Sequence, residues 1–361
     1  MKAAVFHAPN QPMTIENVEI DKPGRREVLI RTAAAGLCHS DLHFMEGKYP
    51  TPTPIVLGHE SAGIVEAVGE DVSYVKPGDH VITCLSVFCG HCEFCLTGHM
   101  SICQTPEVKM APGKAKRLRW QGQHLNQFTN LSSFAEQMLV HENALVKVRH
   151  DMPLDLAALV GCGVITGYGA IVHTAKVQPG SNVAVLGCGG IGLSAINAAQ
   201  IAGAARIIAI DKDVGKLALA RQFGATDVIN PADGDIAKQV NELTSGGVHY
   251  SFECIGLKQT VEDSFRMLCS GGTSTIIGMI PVGTKVEFHG PDFLRERRIQ
   301  GSMMGSNRFR VDMPRLVEFY MQGRLKLAEM ISGRLALEQI NEGFDALKKG
   351  GVARNVIMFP Q

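Results

Sequence analysis

Five of the ten cysteines fall between Cys84 and Cys103, and four of these are spaced as a ligand set. Cys89, Cys92, Cys95 and Cys103 read C-x2-C-x2-C-x7-C. Thiolates this close can wrap a tetrahedral Zn²⁺ with no coordination position left open, which describes a structural site. An iron–sulfur cluster is the main rival, because C-x2-C-x2-C also begins a ferredoxin-type run. That run closes as C-x3-C-P, whereas here seven residues intervene and Gln104 follows. Zinc is the better match. His91 and His99 lie in the same lobe, but four sulfurs complete the shell, so both are expected at its surface.

A second group suits a phosphate. Gly187-Cys188-Gly189-Gly190-Ile191-Gly192 fits G-x-G-x-x-G, after an apolar run and before a helical one. Gly187 permits the turn, Gly189 lets a pyrophosphate approach backbone N–H groups, and Gly192 lets the helix pack on the strand. Gly190 and Ile191 open that helix, whose N-terminus favours phosphate. A plain glycine-rich turn is the bland alternative. Asp211, which ends the next apolar run 19 residues after Gly192, argues against it. Its carboxylate can accept from a ribose 2′-OH and would repel a 2′-phosphate, so NAD is expected rather than NADP. Lys212 and Lys216 lie close by and temper that discrimination; Lys216 is also a cofactor-contact candidate.

Three further places carry metal-capable groups without a decisive spacing. They are Cys38-His39-Ser40-Asp41-Leu42-His43, Gly58-His59-Glu60, and Cys162 within Gly161–Gly169. Alone, each is weak, since a buried Cys is more often a small core residue.

The elements that must position these groups fall into two rhythms. The first 150 residues or so read as short β-branched runs bounded by Gly and Pro: 27–31, 62–68 and 80–83. That pattern predicts an antiparallel, barrel-like domain. From about residue 164, apolar strands alternate with helices. Strands are expected at 183–186, 206–210, 227–229, 250–253, 273–277 and 299–302, with helices at 191–202 and 214–223. Six strands in this alternation predict an α/β, doubly wound parallel sheet. The tail leaves that rhythm and ends in the strand-like run 355–359, which can return to the first domain and make it discontinuous.

At 361 residues two domains are expected, and 45% hydrophobic with 19% charged residues is ordinary for a folded chain. Lys plus Arg (35) cancels Asp plus Glu (35), so no field favours nucleic acid or an acidic membrane surface. The uncharged stretch 183–205 is Gly-rich and weakly apolar, which suits a buried strand–helix unit better than a membrane span. Residues 1–7 lack the apolar core of a secretory signal, so the cysteines are expected as thiols in the cytoplasm.

Taken together, C-H-S-D at 38–41, G-H-E at 58–60, the four-cysteine lobe, the stretch around Cys162 and G-C-G-G-I-G at 187–192 resemble one family throughout the chain. That family is the zinc-containing medium-chain dehydrogenases/reductases, in the alcohol dehydrogenase branch. The resemblance implies a discontinuous GroES-like catalytic domain (1–163 and 306–361) and an NAD-binding Rossmann domain (164–305). It implies two Zn²⁺ per chain, the catalytic one held by Cys38, His59 and Cys162, with Asp41 and Glu60 as acids behind the ligands that orient His59. Ser40 matches a hydroxyl that takes the alcohol proton and passes it through the cofactor ribose to His43. Arg354 aligns with an arginine that pairs with the cofactor pyrophosphate, and His39 stands where some relatives carry another. Leu85, Phe128, Met279 and Met304 align roughly with the substrate wall, although ordinary core would look the same.

The reaction implied is reversible NAD-linked oxidation of primary alcohols, aliphatic or aromatic, to aldehydes. Oxidation of S-(hydroxymethyl)glutathione is the alternative within the family, and the run 114–119 is its unplaced feature. A non-catalytic protein on this scaffold is the alternative outside it, disfavoured by the intact ligand set. The long segment 104–131 favours a homodimer over a homotetramer.

Overall fold

The computed structural model describes residues 1–109 and 116–360; Lys114 and Ala115 of the basic run lie outside them. Two compact units result. Met1–Gly163, Arg308–Gln322 and Leu327–Gln361 make one, and Val164–Asn307 with Gly323–Lys326 the other.

Among the described residues, the first unit is built from two sheets. One runs in the order Leu145–Lys147, His80–Thr83, Ser61–Val68, Glu27–Gly36, Arg354–Met358, Ile331–Leu335, with Gln137–His141 also on Glu27–Gly36. The other contains Lys2–Phe6 between Thr14–Asn17 and Ile55–Val56, continuing to the hairpin of Gln123–Gln127 and Leu118–Trp120 and ending on Glu19–Ile20. The arrangement is barrel-like. Glu27–Gly36 explains its own length: its first half alternates buried with half-buried residues, and its second half is buried throughout. The chain's last strand lies antiparallel against that buried half, pairing Val356 with Gly36 and Met358 with Ala34. Phe6, Leu37, Leu57, Phe134, Phe344 and Phe359 fill one core. Val28, Ile30, Val65 and Leu145 fill another, against which Cys89, Cys95 and Cys103 pack.

In the second unit every strand pair is parallel. The order is Asp227–Ile229, Arg206–Ile210, Asn182–Leu186, Val248–Glu253, Leu268–Ile276, Arg298–Gly301. The chain moves outward from Asn182–Leu186 on one side, then returns to its other side. That reversal creates the crevice at which such sheets bind ligands. The helices Val214–Gln222 and Ile236–Thr244 start on Asp213 and Asp235, whose carboxylates accept from Lys216 N–H and Lys238 N–H.

One expectation needs correction. The strand read at 273–277 is the end of a longer one, Leu268–Ile276, and its link to the last strand holds only the 3₁₀ turn Gly290–Arg295. Pro281, Gly283 and Pro291 in that link disfavour an α-helix. The uncharged 183–205 stretch is, as expected, a strand and a buried helix, Asn182–Leu186 and Gly190–Ile201. Among the described residues, Leu154–Thr174 is the helix long and apolar enough to cross a membrane, and 89% of its apolar window is buried in the protein. It is a core helix. It widens into π-helical turns at Val160–Val164 and Ala170–Thr174.

Candidate active site

Cys38 sits in extended conformation at the start of the short helix His39–Met45. Gly58 holds φ at +93°, and a Cβ there would lie 2.8 Å from the Phe134 nitrogen, so only glycine delivers His59 into the interior. Cys162 lies in the first π-helical turn of 154–174. The Sγ atoms of Cys38 and Cys162 and a ring nitrogen of His59 lie within 4.8 Å of one another, and all three residues are buried.

His59 Nδ1–H donates to Asp41 Oδ1 at 3.0 Å, and Gly58 N–H reaches the same oxygen at 3.2 Å. That contact fixes the tautomer and leaves Nε2 to face a metal. Asp41 is 0% exposed. Burial raises its pKa, against the pull of His59. Cys38 is held well below the ordinary thiol range by the Cys162 S–H that donates to it, outweighing burial, with Arg354 and His59 adding to the effect. A thiolate is the form a metal takes.

Glu60 does not touch His59, contrary to expectation. Its Oε2 accepts from Gly163 N–H at 3.0 Å, and its Oε1 lies 3.3 Å from Arg354 Nε. Burial pushes its pKa up to about 7, with Arg354 opposing and Cys38 adding to the rise. Arg354 is corrected likewise. The expected pyrophosphate partner is only 3% exposed, and it donates through Nη1 to Leu37 O at 2.9 Å. As the first residue of a buried strand it turns its charge inward, beneath the two cysteines.

On the exposed side of the same helix, Ser40 Oγ lies 3.6 Å from Cys38 Sγ. His43 is half-buried, and its Nδ1 lacks a hydrogen-bond partner among the described residues. Burial, with Lys48 nearby, lowers its pKa, and its ring stacks on Tyr49 at 6.3 Å. His39 is exposed at the helix start. Phe128 stands edge-on to the His59 ring at 5.9 Å and to Phe44 at 4.8 Å. Leu85 packs on the core beside the cysteine lobe. Met279 and Met304 belong to the second unit, where Thr166 Oγ1 contacts Met304 Sδ at 3.5 Å.

In the cysteine lobe, Cys89 and Cys95 Sγ atoms are 3.8 Å apart, and those of Cys92 and Cys103 3.9 Å. Zinc–sulfur bonds of about 2.3 Å in a tetrahedron require edges of about 3.8 Å, so the four sulfurs fit zinc. Sequence reading missed Thr105, whose hydroxyl lies 3.1 Å from Cys89 Sγ; a lone Thr carries no signal. His91 is exposed and faces Glu107 at 3.6 Å.

Gly187 turns at φ +91°, and a Cβ on Gly192 would lie 1.7 Å from the Gly187 carbonyl. The space over Gly189 is open, with no atom within 4 Å of a Cβ built there. No side chain caps the helix Gly190–Ile201 that follows, which leaves its first N–H groups for a phosphate. Asp211 accepts from Cys188 N–H at 2.8 Å and Asp213 N–H at 3.0 Å. Its charge is thereby fixed beside the turn. Lys216 is half-buried on the next helix.

Of the basic run, Arg117 pairs with Glu27 at 2.8 Å and Asp21 at 3.6 Å, and Arg119 with Asp21 at 3.3 Å. These cations tie the hairpin 118–127 to its sheet.

Comparison with known proteins agrees with this geometry. Residues 24–150 match the alcohol dehydrogenase GroES-like domain, and residues 190–321 the zinc-binding dehydrogenase domain. The chain is 40% identical to an alcohol dehydrogenase class-3 of Pisum sativum, over 99% of this chain and 97% of the relative. Among solved structures, benzyl alcohol dehydrogenase from Acinetobacter calcoaceticus superposes with a TM-score of 0.93 at 34% identity, over 99% of both chains. A zinc-binding dehydrogenase from Sinorhizobium meliloti bound to NADP superposes with a TM-score of 0.84 at 29% identity, again over 99% of both. The chain belongs to the zinc-containing medium-chain dehydrogenase/reductase family, in its alcohol dehydrogenase branch.

Proposed function

We propose that this protein catalyses the reversible NAD-linked oxidation of primary alcohols, aliphatic or aromatic, to aldehydes. The reading is carried by one observation: two buried thiols and an imidazole converge, with the imidazole tautomer fixed by Asp41. This donor set suits a catalytic zinc with one open position. When bound, zinc supplies the Lewis acid that makes an alcohol proton labile near neutral pH.

The chain's own residues do the rest. Cys38, Cys162 and His59 hold the ion, and Cys89, Cys92, Cys95 and Cys103 hold a second, structural one. Ser40 Oγ receives the alcohol proton beside Cys38. His43, kept neutral by burial, is the base on the same short helix that would take the proton onward. The uncapped helix at Gly190 holds the pyrophosphate. Asp211 selects NAD, since a 2′-phosphate would meet its carboxylate. Phe128, edge-on to His59, shields the metal side from water and offers an apolar face to an aliphatic or aromatic side chain. The benzyl alcohol dehydrogenase among the similar structures supports the aromatic part of this range.

Glutathione-adduct oxidation is the weaker reading. Two cations of the run 114–119, Arg117 and Arg119, are engaged by Asp21 and Glu27. Ten free cysteines and the thiolate ligand sets suit a reducing compartment, and we place the protein in the cytoplasm as a homodimer. The deciding experiment is a substrate panel of ethanol, benzyl alcohol and a secondary alcohol, with NAD and NADP in parallel, with and without glutathione. Turnover of primary alcohols with NAD, independent of glutathione, is expected. Turnover only with glutathione present, or none by a zinc-loaded enzyme, would remove this reading.

A further inference from the structure

A cavity of about 540 Å³ lies within the second unit, and none of its lining residues belongs to a zinc site or to the glycine turn. It is framed by the start of the helix Ile236–Thr244, the end of the helix Lys258–Arg266 and the 3₁₀ turn Gly290–Arg295. Three cations, Lys238, Arg266 and Arg297, and two carboxylates, Asp235 and Asp292, line it together with Asn241.

These charges are unequally answered. Arg266 is fully engaged, with Nη2 2.7 Å from Asp235 Oδ2 and Nη1 2.7 Å from Asp263 Oδ1. The other oxygen of Asp235 accepts from Lys238 N–H at 2.9 Å and caps the helix, so the helix start is not left open to an anion. Arg297 differs. Its side chain is 10% exposed, and its ion pair with Asp292 Oδ1 is long, at 3.4 Å. Its Nε is buried without a hydrogen-bond partner among the described residues. A buried guanidinium so incompletely matched is costly unless something else meets its charge. Lys238 is exposed, and its ammonium forms no ion pair among the described residues. On the acceptor side, Asp292 Oδ2 reaches only His289 Nδ1, at 3.7 Å. Asn241 gives its amide N–H to Ala237 O at 2.7 Å, which leaves its side-chain carbonyl able to accept.

We propose that this cavity binds a hydroxyl-bearing phosphate monoester of sugar size, its phosphate on Arg297 and Lys238 and its hydroxyls on Asp292 and Asn241. Two cations without close counter-charges suit a phosphate, with its charge of about −2, better than a singly charged carboxylate. An arginine meets phosphate oxygens with a planar fork of donors, and a lysine adds a point charge. Inorganic phosphate would leave most of the volume empty, whereas pockets of roughly 300–1,000 Å³ hold whole small molecules. The carboxylate and amide oxygens accept from hydroxyls but repel further anions, so the body attached to the phosphate carries hydroxyls and no second acid. The proposal does not depend on the dehydrogenase reading.

Calorimetric titration of the full-length, zinc-loaded protein with glucose 6-phosphate in saturating NADH tests this, because NADH fills the cofactor crevice and removes it as a competing site. Saturable binding is expected, at least about tenfold tighter than that of inorganic phosphate or of glucose. Arg297→Gln and Lys238→Ala should each weaken it about tenfold, with zinc content and NADH affinity unchanged. No saturable binding, binding no tighter than that of inorganic phosphate, or an affinity that either variant leaves unchanged overturns the proposal. Should Arg297→Gln not fold, Lys238→Ala decides alone, since its side chain is exposed. Binding that appears without NADH and vanishes with it would place the sugar phosphate in the cofactor crevice, and overturns the proposal too.

Discussion

Cys38, just before a short helix, and Asp41, within it, would serve a metal in different ways. Cys38 would supply an electron pair; Asp41 would supply none, but holds the His59 ring through Nδ1 at 3.0 Å. Cys38→Ser is expected to abolish alcohol turnover while NADH binding and the melting curve stay near those of the parent. Asp41→Asn should keep all three ligands yet weaken zinc retention about 10–100-fold, read by competition with a chelator; unchanged retention would mean that His59 needs no such support. His43 gives a prediction in pH. Burial lowers its pKa below the ordinary 6.5, so it is neutral and able to accept a proton at pH 7. Oxidation rate should hold down to about pH 6.5 and fall below it, as the ring becomes protonated. His43→Gln should slow oxidation by about tenfold or more and remove that acid limb from the kcat profile. An acid limb that persists in the variant would assign the titration elsewhere. At this scale the sequence was least informative about Cys162. It lies more than 100 residues beyond His59, in a π-helical turn that no periodicity announces, and only the family pattern linked the two. The inward pairing of Arg354 with Glu60 was equally hidden, because a charged residue in a strand-like run says nothing about which way it faces.

Among the elements, the cysteine lobe was legible without any tertiary information. Four ligands within 15 residues leave few ways to place a metal, and the sulfur separations match the tetrahedron that this spacing suggested. Its energetics follow from its composition: between Cys89 and Cys103 the chain holds only one short helix and one 3₁₀ turn, so the metal must replace a core. Cys95→Ser is therefore expected to reduce bound zinc from two ions per chain to one. The melting temperature should drop by about 5–10 °C, with turnover per folded molecule largely kept. If Cys38→Ser and Cys95→Ser lost the fold equally, the division into catalytic and structural sites would be wrong. The parallel sheet was legible for a related reason: buried strands in such sheets are continuous apolar runs, and all six were found within a few residues. What escaped was the helix Leu154–Thr174. Its glycines at 161, 163, 167 and 169 argue locally against a helix. Packing overrides that preference: a Cβ on Gly167 would lie 2.6 Å from Ile191 O, and one on Gly169 2.1 Å from Gly305 O. Glycine stands there for close approach.

For the molecule as a whole, the open question of assembly turns on one sheet edge. Arg298–Gly301 ends the six-stranded sheet, paired on one side with Leu268–Ile276 and on the other with nothing among the described residues. Unprotected edges invite pairing with another chain, and several exposed apolar residues lie near this one in the sequence, among the charged Arg295, Glu296 and Arg298. Leu294 is 88% exposed, Val282 70%, Met303 52% and Phe293 46%. Each such side chain gains about 1.5–3 kcal/mol when fully buried, enough in sum to favour association if the surrounding surface also fits. A strand edge meeting its own copy across a two-fold axis forms a closed, self-complementary contact, which stops at a dimer. The chain should therefore sediment at twice its own mass at micromolar concentration. Leu294→Asp combined with Met303→Lys should shift it to a monomer that still binds zinc, because neither residue touches a ligand. A parent protein that sediments as a monomer would show that this edge is left bare. A tetramer that the double variant reduces to a dimer would make the edge one of two interfaces, with the second to be sought elsewhere on the surface.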